Sequence, residues 1–237
     1  MVRYVIPMLA MAALAAPAAA AEVQIQSPGP VVELTVDEVV NSRPDLAQVG
    51  AGVTVRARTA KEAVRLNAAA MERVIARLRS LGIEAKDIQT STFNLNPQYD
   101  YRPEGGTPTF VGYEATNQVS VKLRKLDSVG EVLDALVAAG ANTVYGPSFM
   151  LDDDAAAKAS ARTKAFARGQ AMAQDYARMA GYSGLRLLEV SESFQGGGPL
   201  PMAAAIRAEG AQDAKTPIEP GEVGTGVTVT VKYEMTR

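Results

Sequence analysis

Apolar residues recur along this chain at two different spacings, and the order in which the spacings alternate constrains the fold more than any bulk property. In Tyr113 to Arg124, Val119, Val121 and Leu123 alternate with Ser120, Lys122 and Arg124, the period of two that turns one side of a strand toward a core. Asp87 to Tyr99 has the same character, so these two segments are predicted to pair as a long hairpin. From Thr59 the period changes: Met71, Val74, Ile75, Leu78 and Leu81 fall at helical spacing. Thr59 followed by Glu62 reads as a capping box, and Gly82 stands where a left-handed C-terminal cap belongs. A helix is expected over 60–81.

The rest of the chain repeats this alternation. Val31 to Val40 and Val49 to Ala57 read as strands joined in a hairpin by the turn Asn41 to Pro44. Ser128 and Glu131 predict a second capped helix that ends at Gly140, and Val144 to Leu151 a further strand. A long alanine-rich helix is expected from Asp154 to Ala180, then strands over Leu185 to Ser193 and Gly226 to Met235. The predicted order is ββαββαβαββ. It lacks the strand-helix rhythm of a doubly wound sheet, so the class is α+β, with helices packed on one face of mostly antiparallel sheets. Two lobes are expected, 22–110 and 111–237, with a Gly-, Ala- and Pro-rich excursion over 195–221.

The N-terminus carries a targeting signal. Arg3 precedes an apolar run from Tyr4 to Ala16, and Ala19 and Ala21 fit an A-x-A processing site. Residues 1–21 are therefore expected to be a signal peptide cleaved near Ala21–Glu22, giving a periplasmic mature protein. No later segment has the roughly 20 apolar residues of a spanning helix, so no membrane span is expected after cleavage. The chain has neither Cys nor His in its 237 residues. That excludes disulfides, thiol nucleophiles, Ser-His catalysis and the side chains that hold most transition metals. A net charge of −2 gives no basic footprint for nucleic acid.

Few constellations remain to carry chemistry. Asp152, Asp153 and Asp154 form an acidic run, but without the ligand spacing or turn glycine of a Ca2+ loop, so it reads as a helix N-terminus favoured by the dipole. Gly50 to Gly52 and Gly196 to Gly198 lack the strand-to-helix context of a phosphate cradle. Tyr99, Tyr101, Phe110 and Tyr113 concentrate aromatics around one hairpin and are the candidate interface; packing onto their own lobe is the competing reading. The small face of the alanine-rich helix is a second candidate contact, on its own sheet or on a neighbouring subunit. No catalytic residue, cofactor or metal ligand is assigned.

Five blocks, Arg43 to Val53, Gly82 to Tyr101, Val111 to Arg124, Ala138 to Asp153 and the alanine-rich helix, resemble in order the SIMPL domain family across nearly the whole mature chain. The resemblance implies an exported protein of two α+β lobes, with no established catalysis. It also implies self-association and a role in envelope or oxidative-stress tolerance. The loops around Gly196 to Gly198 and Ala203 to Thr216 depart from the commoner pattern. The expected function is therefore a non-catalytic periplasmic protein that forms a homo-oligomer or binds an envelope protein or peptide. The alternatives are a module that holds a peptide or unfolded chain at a sheet edge, and a hydrolase using carboxylates, Ser or Lys.

Overall fold

A computed structural model describes residues 27–101, 107–194, 200–201 and 218–237. The expected signal peptide and the loops at 196–198 and 203–216 lie outside the described residues. The chain forms β1 (Val31–Ser42), β2 (Leu46–Ala57), α1 (Ala60–Ser80), β3 (Ile88–Asp100), β4 (Thr109–Leu123), α2 (Val129–Ala138), β5 (Thr143–Met150), α3 (Ala155–Met179), β6 (Gly184–Ser193) and β8 (Val223–Thr236). The order ββαββαβαββ holds, with a two-residue strand, β7 (Leu200–Pro201), added before the last.

The strands make two antiparallel sheets. Sheet A runs β1-β8-β6 with β7 also on β8, and sheet B runs β3-β4-β2-β5. The expected hairpin of β1 with β2 does not form. β1 pairs along its whole length with β8, from Val31 opposite Glu234 to Ser42 opposite Val223, while β2 lies between β4 and β5. Sheet membership therefore crosses the expected boundary at residue 110: sheet B and its helices lie within 46–150, and sheet A takes β1, β6, β7 and β8, with α3 packed on it. Each sheet buries one face under helices, which is why its strands alternate rather than run continuously apolar.

Under α1 and α2 the core of sheet B holds Val49, Val53, Val74, Leu78, Val119, Val121 and Leu136. α1 begins as expected, with the Glu62 amide donating to Thr59 Oγ1 at 3.3 Å. α2 begins differently: Ser128 makes no side-chain cap and its hydroxyl donates instead to the Lys125 carbonyl at 2.7 Å, closing a 3-10 turn that leads into the helix. Asn67 is fully buried beneath α1, where its amide donates to the carbonyls of Val53 and Ala115 at 2.7 and 2.9 Å.

α3 covers sheet A along a row of small residues every fourth position: Ala157, Ala161, Ala165, Gly169, Ala173 and Ala177. Opposite them stand Val36, Val227, Val229, Val231 and Tyr233. A Cβ at Gly169 would come 3.0 Å from Val231 Cγ2. The small face of the helix is thus spent on its own sheet for its full length.

Candidate functional site

Three of the four aromatic residues singled out in the sequence, Tyr99, Phe110 and Tyr113, come together at the end of the β3–β4 hairpin. β3 and β4 pair from Ile88 opposite Val121 to Asp100 opposite Thr109. That register places Phe93, Leu95 and Tyr99 on the same face of sheet B as Ile88, which packs against the core. α1 starts at Ala60 and lies over β2 and β4, hardly reaching β3, so no helix among the described residues covers this end of the helix-side face. The rings of Tyr99 and Phe110 meet edge to face at 5.8 Å, and those of Phe110 and Tyr113 at 5.3 Å, the arrangement favoured by the ring quadrupole. Tyr101 lies beyond the end of β3 and is 72% exposed.

A bulge builds this array. β4 carries one extra residue, Val111, where the partner of Gln98 is Gly112 and that of Tyr99 is Phe110. The extra residue turns Phe110 to the side of Tyr99, the re-aiming a bulge supplies. Gly112 sits at φ +147°, and a Cβ there would fall 2.6 Å from the Ala57 carbonyl oxygen. Only glycine fits. Beside the bulge a groove of about 480 Å³ opens between Arg56, Arg58, Gln98, Tyr99, Asp100 and Tyr113; Arg56 is held by Glu114 at 2.7 Å.

The array is larger than the four expected residues. Phe93 and Leu95, 51% and 36% exposed, extend it along β3. Their alternation with Asn94 and Asn96 was legible as a strand, but their exposure was not, because it depends on where α1 ends over the sheet.

The acidic run is occupied with structure. Asp152 accepts from Arg124 Nε at 3.1 Å, Asp153 accepts from the Ala155 amide at 2.9 Å, and Asp154 pairs with Lys158 at 2.8 Å. Among the described residues no three His, Cys, Asp or Glu side chains come together as a metal site. Gly50 and Gly52 lie within strand β2, with Ala51 between them in the core.

The chain matches the model of the SIMPL family, described as "Protein of unknown function (DUF541)", over residues 32–233. It is similar to the "26 kDa periplasmic immunogenic protein" of Brucella melitensis, 31% identical over 229 residues that cover 94% of this chain and 92% of that protein. The same-named protein of Brucella abortus matches equally, at 31% over the same span. The "Uncharacterized protein YggE" of Escherichia coli K12 is 30% identical over 149 residues, 63% of this chain and 60% of its own length. With the family model spanning both sheets, this chain belongs to the SIMPL family.

Proposed function

We propose that this protein is an exported, non-catalytic envelope protein that works by self-assembly, with the open end of the β3–β4 hairpin as the contact between copies. The observation that carries this is the apolar array of Phe93, Leu95, Tyr99 and Phe110, each more than a third exposed and contiguous on one face. Apolar surface gathered in one patch is what an interface core requires. Export is supported by the charged start, apolar run and A-x-A site of residues 1–21, and by the word "periplasmic" in the name of the similar Brucella protein. A part in envelope or stress tolerance is the physiological setting this reading implies.

The rival reading, a strand-holding module, would use the free edge of β3. That edge is guarded: the pairing slips at Ser91 and again beside Tyr99, and Pro97 lacks an N–H to offer. Bulges and proline are the devices that discourage strand addition, which favours the face over the edge as the contact.

Light scattering of the protein at tens of micromolar should give a mass several times that of one chain. Replacing Tyr99 and Tyr101 together by Ser should lower the oligomer order while circular dichroism stays unchanged, since neither side chain is buried. A wild-type monomer, or a double variant that unfolds while the wild type assembles, would overturn the reading.

A further inference from the structure

The solvent faces of the two sheets differ in kind. On sheet A, Lys232 pairs with Glu189 at 3.1 Å and with Glu33 at 3.6 Å, and Arg186 pairs with Glu234. On sheet B the register turns Gln48, Gly50, Gly52 and Thr54 of β2 outward, opposite Lys122, Ser120, Gln118 and Thr116 of β4. Between Lys122 at one end and the Arg56–Glu114 pair at the other, the described residues put no charge on this face.

A groove of about 230 Å³ crosses it, with Ser91 from β3, Gln118 from β4, Gln48 and Gly50 from β2, and Tyr145 from β5 in its lining. Its construction is specific. Pairing of β2 with β5 slips between Gln48 and Gly50, and Gly146 takes φ +90°, where a Cβ would stand 2.9 Å from the Gln48 carbonyl. Tyr145 then lies over Gly50, whose added Cβ would approach its ring at 3.2 Å, and Gly52 makes the same room for Gln118, at 3.0 Å. Gln118 Nε2 donates to the Tyr145 hydroxyl at 3.2 Å, which leaves the amide oxygen and a second N–H of Gln118 for a ligand. Tyr145 is 52% exposed.

Amides, hydroxyls and one half-exposed phenol ring, without a charge, define a ligand class. No charged side chain lines the groove, Lys122 standing at its border opposite Gln48, and an apolar ligand would strip water from amides and return no hydrogen bond. A pyranose sugar answers both needs: its hydroxyls donate and accept at once, and its C–H face stacks on an aromatic ring. The groove spans four strands, or three spacings of ~4.8 Å, roughly 14 Å, a length suited to several linked sugars.

We propose that this groove binds a neutral oligosaccharide. The site lies on the face of sheet B away from the helices and from Phe93, Leu95 and Tyr99, so it stands independently of self-assembly.

Isothermal titration calorimetry with hexasaccharides of N-acetylglucosamine, of β-linked glucose and of α-linked glucose tests this on the purified protein. At least one should bind saturably. Tyr145→Ala, which removes the stacking ring, should weaken that binding about tenfold, and Gln118→Ala should weaken it in the same direction. Lys232→Ala, on the charged face of sheet A, should bind as wild type does. Circular dichroism confirms the fold of each variant, and Gln118→Ala decides the matter where Tyr145→Ala is unfolded. No saturable heat with any of the three sugars up to about 10 mM, or binding that folded groove variants leave unchanged, would overturn the proposal.

Discussion

Glu234 is 5% exposed and carries the chain's entry into β1: it accepts from the Gly29 amide at 2.9 Å and from Arg186 Nε at 2.7 Å. Burial pushes its carboxyl up, but the bonds from Arg186, Gly29 and Ser27 together outweigh that and hold it below the ordinary value of 4.5. A depressed carboxylate contributes its stability in full above that ordinary value, and the contribution disappears as pH falls through the lower folded one. Glu234→Gln should therefore be less stable than wild type near neutral pH, with the gap closing as pH falls below 4.5 and through the lower folded value. Urea unfolding of both proteins at several pH values measures this; a gap independent of pH would show that the charge is not what matters. Asn67 illustrates the opposite case, a neutral buried group fixed by two carbonyls, whose position within a helix of apolar periodicity gave no sign of its role.

Among the elements, α3 shows how composition becomes geometry. Its small residues recur every fourth position, so they trace an i±4 ridge inclined to the helix axis, and the helix can lie close on the twisted strands β1 and β8 along that ridge. At Gly169 even a Cβ would crowd Val231, at 3.0 Å. Gly169→Leu introduces a better helix former, so any loss reports packing: a destabilisation of about 1–3 kcal/mol is expected from overpacking, read as a lower urea midpoint at unchanged slope. The alanine content and the length of α3 were legible in the sequence; which surface the small face would meet was not, because close approach to a sheet and close approach to another subunit require the same side chains. β3 shows the same limit, since its alternation marks a strand whether or not a helix reaches far enough to cover it.

At the scale of the whole molecule, the chain passes from sheet A to sheet B at 43–45 and returns at 151–154, and the two crossings are tied to each other. The Asp45 amide donates to the Met150 carbonyl at 3.2 Å, and the Asp152 amide donates to Asp45 Oδ1 at 2.7 Å. Arg124, at the end of β4, bridges Asp152 at 3.1 Å and the buried Asp87 at 2.6 Å. Arg124→Met should lower thermal stability and speed hydrogen exchange at the Asp152 amide, while the centres of both sheets remain protected. Unchanged exchange at Asp152 would show that the crossings hold without the arginine.

Local structure was readable from the residues alone. Hydrophobic period, the Thr59 cap and the glycine stops set the type of nearly every element and its ends to within a few residues, because helix and strand periods are properties of neighbouring side chains. The absence of Cys and His likewise bounded the chemistry before any fold was known. Partnership between elements emerges only in the assembled fold. β1 and β2 are adjacent and joined by a plausible turn, yet β1 pairs with β8, because Val36 can be buried there between β8 and the small ridge of α3. The open aromatic face and the uncharged groove follow from the same cause: whether a side chain is covered depends on which distant helix or strand lies beside it, and no local pattern encodes that.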